Sequence, residues 1–330
     1  MPNWNNATDT ISCLDSLLKA IDKLTISILV VDNGSEYDDI NQIRVFLTQK
    51  GLRFKEYKRG DSSLQPISRG NHLNINILKN QENLGYASAI NTGLKLLGVD
   101  NFKWLLVLNN DTEVKPDSLI NLLRIAEKEN QIKIWAPVIT YYYNPDLIWD
   151  IGGSLTFWGS RTFPGRKKAR SSYPYQGFTE RTFVTGCALL INSEIIKTEG
   201  FLTEKFFFGE EDYWFARLMQ KKQHRMAVCW EAEIKHKVSK SIKKVSPQSI
   251  VPMVYIHNLN RLIDMKMWLN STFYPIWKFL YLPYATFTLW WKNWIPLRQL
   301  IKFNKLLIKN SRYKEVVTRE DFLKAKELFQ

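Results

Sequence analysis

Two clusters of polar residues each follow a short apolar run, and both contain a carboxylate that could hold a ligand. Asp32-Asn33-Gly34-Ser35 follows residues 27–31, and Asn109-Asn110-Asp111-Thr112 follows residues 104–108. Carboxylate and amide oxygens accept hydrogen bonds and coordinate hard divalent cations. Asn-Gly and Asn-Asp pairs also favour plain turns, and either cluster alone is more typical of a turn. Because both clusters follow apolar runs, we interpret them together as a binding site.

A third cluster consists of the acids Glu210, Glu211 and Asp212, directly after three phenylalanines. Acids in the first turn of a helix interact favourably with the helix dipole, so capping is one interpretation. Apolar neighbours raise the pKa of a carboxylate, which suits a general base near neutral pH, so catalysis is the other. The residues alone favour neither interpretation.

His236 lies within residues 235–244, which contain five lysines and no acid. A neutral imidazole in this setting could face a phosphate or a metal ion. A single histidine is more often structural, and the stretch alone does not decide between the two roles.

The elements that must position these residues show two alternating periods. Helical periodicity at residues 8–20, 36–50 and 86–97 alternates with strand-like runs at 27–31, 53–57, 74–78 and 104–108. We expect a loop at 58–72, a long loop or an insertion with short strands at 137–185, and further helices at 193–199 and from Glu211 to about Lys222. The pattern predicts an α/β fold whose mostly parallel, Rossmann-like sheet has helices on both faces. Ligands of such sheets bind at the carboxyl ends of the strands, where the first two clusters lie.

Composition excludes several classes of protein. The 330 residues are 45% hydrophobic and 24% charged, which excludes long disorder and fibrous repeats. The three cysteines are widely spaced, so neither a disulfide framework nor a zinc knuckle is indicated, and a reducing compartment is expected. The polar N-terminus lacks the pattern of a signal peptide. A formal charge of +14 favours an anionic partner: nucleic acid, a phosphorylated ligand or an acidic membrane surface.

The C-terminal residues 271–330 contain 11 basic and 4 acidic residues, a net +7, together with a dense run of aromatics at 273–294. We expect Pro275 and Pro283 to interrupt a helix there and Lys278 to prevent a membrane span. The mixture of aromatic and basic side chains favours a segment that lies in the interface of an anionic membrane. A buried helical hairpin or a dimer interface is the alternative.

These clusters, in this order, resemble those of family 2 nucleotide-sugar glycosyltransferases of the GT-A fold, and most of all the bacterial rhamnosyltransferase-like branch. The resemblance runs from Asn3 to about Trp268. The motifs that carry it are Asn3-Trp4-Asn5-Asn6, Val30-Val31-Asp32-Asn33-Gly34-Ser35, Asn83-x-Gly85-Tyr86-Ala87-x-Ala89-x-Asn91-x-Gly93, Leu108-Asn109-Asn110-Asp111-Thr112, Ile148-Trp149-Asp150-x-Gly152-Gly153, Val184-x-Gly186, the phenylalanine and acid run with Trp214 and Arg217, and His236 with Ser241.

The resemblance implies an inverting transferase (hexosyl or deoxyhexosyl) that uses Mg²⁺ or Mn²⁺. Asp111 would anchor the metal, since its motif has Asn109 in place of the first acid, and His236 would approach the metal or the diphosphate. Asp32 would accept a hydrogen bond from the nucleobase. The remaining residues that the resemblance places around the nucleotide are Asn33, Ser35, Asn83, Gly85, Asn91, Asn110 and Gly186.

The resemblance also implies a catalytic base in the acidic cluster. Alignment on Trp214 and Arg217 places Glu211 at that position, whereas alignment on the Glu-Asp pair places Asp212 there. We favour Glu211. Tyr213 stands where many members have another acid, which leaves the choice open.

The partners implied are a nucleotide-sugar donor, a saccharide or lipid-linked saccharide acceptor and an anionic membrane surface at the cytoplasmic face, with no nucleic acid. We expect a transferase unit at 1–245, with a nucleotide-binding half at 1–130 and an acceptor half at 131–245, and a helical basic region at 246–330. The first strand of the family lacks a counterpart here, because the chain starts directly before Asn3. A catalytically impaired scaffold is therefore one alternative, and a basic nucleic-acid-binding protein is another.

Overall fold

The chain folds into two large sheets, a two-stranded antiparallel sheet of Ser154–Leu155 and Arg161–Thr162, and ten α-helices within the part that the structure describes. This computed structural model describes residues 1–21, 24–60, 73–238 and 247–329. The strands are β1 (Pro2–Asn3), β2 (Ile26–Asp32), β3 (Phe54–Lys58), β4 (Leu73–Lys79), β5 (Trp104–Leu108), β6 (Thr112–Val114), β7 (Ile132–Tyr141), β8 (Asn144–Asp150), β9 (Ser154–Leu155), β10 (Arg161–Thr162), β11 (Phe178–Arg181), β12 (Ala188–Asn192) and β13 (Arg225–His236). The helices are α1 (Ala7–Ala20), α2 (Tyr37–Gln49), α3 (Tyr86–Leu97), α4 (Ser118–Lys128), α5 (Ser193–Glu199), α6 (Glu211–Lys221), α7 (Pro247–Trp268), α8 (Phe273–Asn293), α9 (Leu297–Tyr313) and α10 (Arg319–Leu328).

The first sheet is parallel and has the strand order β1-β2-β4-β3. Its core is formed by the apolar faces of α1 and α2 against β2 and β4, with Leu14, Ile43 and Ile77 fully buried. The predicted elements at 8–20, 27–31, 36–50, 53–57 and 74–78 are confirmed, with shifts of about one residue at their ends. The predicted loop at 58–72 lies mostly outside the described residues.

The second sheet is mixed and has the strand order β11-β13-β7-β12-β5, with β6 added to β13 and β8 to β7. Among these pairings only β13 with β7 is parallel. The predicted α/β fold is confirmed, and the parallel arrangement holds throughout the first sheet. Of the two alternatives predicted for 137–185, the structure confirms the insertion with short strands, because β7 extends into the region and β8 to β11 lie within it.

An apolar cavity of about 570 Å³ separates the two sheets along β2 and β5. Its walls include Ile28 and Leu29 of β2, Leu105 and Val107 of β5, and Gly93 of α3. The strand β1 has two residues, which pair with Val31 and Asp32 at the end of β2. The sheets are therefore not joined by a strand along most of β2.

The C-terminal helices α7 to α10 form a core of their own around Leu259, Leu262, Phe303 and Leu307, into which Phe206 inserts. The prediction that proline interrupts a helix within residues 273–294 is wrong. Pro275 lies in the first turn of α8, where backbone N–H groups have no partner within the helix, and Pro283 removes one hydrogen bond from a helix of 21 residues. No helix of the described residues is long and apolar enough to cross a membrane.

Candidate active site

The carboxyl end of β2 forms the first corner of the site. Asp32 is 1% exposed, and its Oδ1 accepts a hydrogen bond from the Asn3 side chain at 3.3 Å. Burial raises the pKa of Asp32, while hydrogen bonds from Ser35 and Asn3 oppose the rise. The Ser35 hydroxyl in turn accepts hydrogen bonds from Asn3 Nδ2 at 3.2 Å and from the Asn5 amide at 2.9 Å. The short strand β1 thus holds the acid and the hydroxyl of this corner in place.

Asn33 fixes the loop that precedes α3. Its Nδ2 donates to Asn83 Oδ1 at 3.0 Å and to the Gly85 carbonyl at 3.2 Å, and its Oδ1 accepts from Asn80 and from the Leu84 amide. These contacts bring Asn33, Asn83 and Gly85 together, as predicted. Because each polar atom of the Asn33 side chain is already engaged, Asn33 positions the loop rather than offering free groups to a ligand.

Gly85 is required by its backbone and by its surroundings. Its φ of +86° lies in the left-handed region, and a Cβ there would lie 2.4 Å from the Phe207 carbonyl oxygen. The loop before α3 therefore packs directly against the backbone of Phe207, which lies just before the acidic cluster.

The second corner lies at the end of β5 and faces the last residue of β13. Asp111 is 8% exposed and its two carboxylate oxygens lie 3.1 and 3.2 Å from His236 Nε2. Trp149 packs against the His236 ring at a centroid distance of 4.3 Å. The structure brings together the two residues predicted to contact metal, although they are 125 positions apart. Ser241 of the same motif lies outside the described residues.

Asn3 connects the two corners. Its side-chain Nδ2 donates to Asp32, and its Oδ1 accepts from the Thr10 hydroxyl at 2.8 Å and from Asn110 Nδ2 at 3.5 Å. Asn110 also donates to the Thr10 hydroxyl at 2.8 Å. The first and second corners therefore lie on the same side of the molecule and are joined by a hydrogen-bond network.

The acidic cluster opens α6 and is attached to this network through Gly186. The Gly186 amide donates to Asp212 Oδ2 at 2.9 Å, and its carbonyl lies 2.9 Å from the Tyr86 hydroxyl. Tyr86 also contacts Asn109 Oδ1 at 2.9 Å. A Cβ at Gly186 would lie 2.4 Å from the Asp212 carboxylate, so this close approach needs glycine.

Burial perturbs both acids of the cluster. It raises the pKa of Glu211 to about 8, with a further contribution from the Asp212 charge, and raises that of Asp212 to about 6. The Gly186 amide opposes the rise at Asp212, whereas Glu211 Oε2 is buried without a hydrogen-bond partner. Burial thus favours the protonated form of both acids, and the hydrogen bond from the Gly186 amide favours the ionised form of Asp212.

Glu210 precedes this pair and has a left-handed backbone, with φ of +76°. It is 4% exposed and forms an ion pair with Arg161. A strained, buried acid next to two acids of raised pKa is typical of a functional site. The sequence did not predict the roles of Arg161, Tyr86 and Asn3 in holding the site together. Those roles depend on contacts with residues far away in the chain, which no local pattern shows.

Asn91 is engaged elsewhere. Its amide donates to the Leu202 carbonyl at 2.8 Å and to Glu204 at 2.9 Å, and it ties α3 to the segment before the acidic cluster. These contacts give Asn91 a structural role, which differs from the nucleotide contact predicted for it.

The metal prediction rests on two side chains. Among the described residues no three His, Cys, Asp or Glu side chains lie together as a metal cluster. Neighbouring ligands of an octahedral ion, each at about 2.1 Å, lie about 3 Å apart, which is close to the separation of Asp111 and His236. Such an ion takes its other ligands from water and phosphate, so one carboxylate and one imidazole fit a Mg²⁺ or Mn²⁺ ion bound together with a diphosphate.

Comparison with known proteins decides the family. The sequence model of glycosyl transferase family 2 matches residues 1–198. The chain belongs to this family. The motifs around Asp32, Gly85 and Asp111, which suggested the resemblance to this family, all lie within the matched residues. The assignment to the rhamnosyltransferase-like branch stays a prediction.

Individual similarities are more distant. An uncharacterized protein of Methanocaldococcus jannaschii is 25% identical over 115 residues, which are 34% of this chain and 41% of that protein. A structure of GalNAc-T7 with UDP, GalNAc and Mn²⁺ has a TM-score of 0.56 at 12% identity and covers 94% of this chain and 52% of its own. The mannosyltransferase PcManGT from Pyrobaculum calidifontis, with GDP-Man and Mn²⁺, has a TM-score of 0.53 at 13% identity and covers 95% and 74%. The chain thus matches about half or less of the Methanocaldococcus jannaschii protein and of GalNAc-T7, and it shares the fold of GalNAc-T7 and PcManGT.

Proposed function

We propose that the chain is an inverting glycosyltransferase that moves a sugar from a nucleoside-diphosphate donor to a hydroxyl of a growing surface polysaccharide or of a lipid-linked saccharide. The observation that carries the proposal is the network through Asn3, which places Asp32 and Asp111 on one side of the molecule. A UDP-, dTDP- or GDP-sugar has a nucleobase for the first corner and a diphosphate for the second. The rhamnosyltransferase-like motifs favour a hexose or deoxyhexose as the transferred sugar.

In this proposal Asp32 and Ser35 hold the nucleobase, while the loop fixed by Asn33 and opened by Gly85 lets the donor approach the backbone. Asp111 and His236 would hold a divalent ion, and such an ion would supply the positive charge that offsets the negative charge of a leaving diphosphate. The neighbours GalNAc-T7 and PcManGT contain Mn²⁺ together with UDP or GDP-Man, which supports this choice of ligands.

The reaction needs a base for the acceptor hydroxyl. The hydrogen bond from the Gly186 amide stabilises the ionised form of Asp212 and favours Asp212 in that role, although sequence alignment favours Glu211. Asp212 takes the hydroxyl proton, and the acceptor oxygen bonds to the anomeric carbon from the face opposite the diphosphate. The carbon–oxygen bond of the donor breaks and its electron pair leaves with the nucleoside diphosphate. A single displacement of this kind inverts the configuration at the anomeric carbon.

The test is release of nucleoside diphosphate from a panel of UDP-, dTDP- and GDP-sugars with Mn²⁺, with slow transfer to water as the minimal reaction. Asp212→Asn should lower kcat by about 10²- to 10⁴-fold and leave donor affinity unchanged. Asp111→Asn should lower the affinity for Mn²⁺. Asp146→Asn, which changes an exposed acid, is the matched control. Turnover that stays at the wild-type level in both Asp111→Asn and Asp212→Asn would refute the assignment.

We also propose that the C-terminal helices rest on the cytoplasmic face of an anionic membrane. On α8, Phe279, Tyr284 and Trp291 are between 63% and 77% exposed. The adjoining α9 contains five basic residues and no acid. Exposed aromatics next to cationic side chains suit the interface of an anionic bilayer.

Sedimentation with vesicles tests this placement. Binding to vesicles that contain a quarter phosphatidylglycerol should exceed binding to pure phosphatidylcholine and should fall with salt. Lys305→Glu and Lys309→Glu should each weaken it by about tenfold or more, because a like charge replaces an attraction of about 1 kcal/mol. Equal binding to both kinds of vesicle would contradict the proposal.

A further inference from the structure

A second cavity, of about 340 Å³, lies directly beside the acidic pair. One wall is formed by Glu211 and Asp212 at the start of α6. The opposite wall is formed by His257 and Arg261 of α7 and by Tyr281 of α8. The cavity therefore joins the proposed catalytic base to the C-terminal helices, and its volume is within the range of small-molecule sites.

The charges of this cavity are unevenly paired. The lining contains the acids Glu210, Glu211 and Asp212 and the two arginines Arg161 and Arg261, and Arg161 forms an ion pair with Glu210. Arg261, in contrast, has no carboxylate within ion-pair distance among the described residues. Its Nη2 donates to the Gly159 carbonyl, its Nε is buried without a partner, and its guanidinium carbon lies 5.0 Å from the centre of the Tyr281 ring. An unpaired guanidinium in a cavity wall is costly unless a ligand satisfies it.

His257 lies one turn before Arg261, so both side chains are on the same face of α7. In the described part of the chain no hydrogen bond engages its ring nitrogens. The Gly209 backbone lies against the ring, and a Cβ there would lie 2.8 Å from His257 Cε1 and 3.0 Å from Nδ1, so this close approach needs glycine. Burial lowers the pKa of His257, which favours the neutral imidazole at the wall of the cavity.

We propose that this cavity is an acceptor subsite for an anionic group, a phosphate or a carboxylate, which Arg261 binds with the help of His257. The planar guanidinium matches both groups in geometry. Of the two arginines in the lining, Arg161 is paired with Glu210, whereas Arg261 has no carboxylate within ion-pair distance among the described residues. The inference rests on the proposed function, because it places the anion of the acceptor next to the base that activates its hydroxyl. It narrows the acceptor to an acidic or phosphate-bearing saccharide.

The experiment compares three probes on the full chain while UDP or GDP and Mn²⁺ occupy the donor site. The probes are glucose 1-phosphate, methyl β-glucuronide and the neutral methyl β-glucoside, with Kd measured by nuclear magnetic resonance titration. At least one charged probe should bind tenfold or more tightly than the glucoside. Arg261→Gln should weaken that probe by about 10- to 100-fold and leave the glucoside unchanged. Arg298→Gln, which removes the same charge from an exposed position on α9, should change neither.

Further measurements separate the possible failures. Equal binding of all three probes to the wild type, or wild-type affinity in Arg261→Gln, overturns the inference. If Arg261→Gln has an altered melting temperature, His257→Gln replaces it and should weaken the charged probe by about threefold or more; no change there also overturns the inference. Binding of the nucleoside diphosphate with Mn²⁺ is measured alone: its absence refutes the proposed function, whereas its presence without charge discrimination refutes the subsite only.

The source of the anion is assigned by a vesicle arm. Phosphatidylcholine vesicles that carry a long-chain alkyl phosphate should retain the wild-type chain better than Arg261→Gln if the phosphate belongs to a lipid-linked acceptor. Preference for soluble glucose 1-phosphate or for the glucuronide, without that retention, assigns the site to a phosphorylated or an acidic polysaccharide, respectively.

Discussion

Replacement of Glu211 by glutamine should stabilise the protein, and the gain should grow with pH. The pKa of Glu211 rises from an ordinary value of 4.5 to about 8 in the folded chain. Below pH 4.5 the folded and unfolded chains are both protonated at this residue. Between pH 4.5 and 8 only the unfolded chain loses the proton, so the free energy of unfolding falls as pH rises.

The size of the effect follows from the width of that pH interval. At about 1.4 kcal/mol for each pH unit, 3.5 units correspond to about 5 kcal/mol lost by pH 8 or above. Less than about 1 kcal/mol of this loss is present at pH 5. Since glutamine does not ionise, Glu211→Gln should gain about 4 kcal/mol more over the wild type at pH 8.5 than at pH 5.

Urea unfolding of both proteins at pH 5, 7 and 8.5 measures this difference. Glu327→Gln is the matched control, because Glu327 is exposed and the change should leave the free energy of unfolding within about 0.5 kcal/mol at every pH. A gain for Glu211→Gln that is the same at pH 5 and pH 8.5 would refute the argument that this carboxyl is held protonated by burial.

Three further predictions concern the backbone and the buried side chains. Gly85→Ala should lower the free energy of unfolding by about 2–4 kcal/mol in a urea titration, since it combines a left-handed φ with a clash, whereas Gly51→Ala, with φ of +69° in open space, should cost about 1 kcal/mol. Asp264→Asn should cost about 3–5 kcal/mol, because Arg217 then remains buried without its carboxylate; a melting temperature equal to that of the wild type would contradict this. Cys13, Cys187 and Cys229 are buried, and burial raises the pKa of each thiol, to about 11 for Cys13 and Cys229. Ellman's reagent should therefore label none of them in the folded chain and all of them in guanidinium. Fast labelling of the folded chain would contradict their burial.

Local sequence patterns predicted most elements of the first sheet and of the helices around it. The helix at 86–97 and the strand at 104–108 have the bounds expected, because their apolar periodicity is clear and glycine or asparagine marks the ends. The mixed pairing of the second sheet was not predictable. The strand β13 pairs with residues from three distant segments, and nothing in its own sequence identifies those partners.

The residues of the site likewise fall into those that the sequence predicts and those that it does not. The clusters around Asp32 and Asp111 were visible because each follows an apolar strand. The contact of Asp111 with His236 was expected only through the family resemblance, since no local pattern joins positions so far apart. The unpaired Arg261 was not visible in the sequence at all, because an arginine on a helix is ordinary until its neighbours are known.

The cavity between β2 and β5 divides the hydrogen-bonded framework into two blocks, and this division has a consequence for cooperativity. Amide hydrogens of β2 and β4 should exchange through openings that leave β7 and β12 protected, so that native-state exchange resolves two unfolding units. Asp32 and Asp111 lie on opposite sides of this boundary. A donor that contacts both residues would therefore act as a clamp, merging the two units into one and slowing exchange in both.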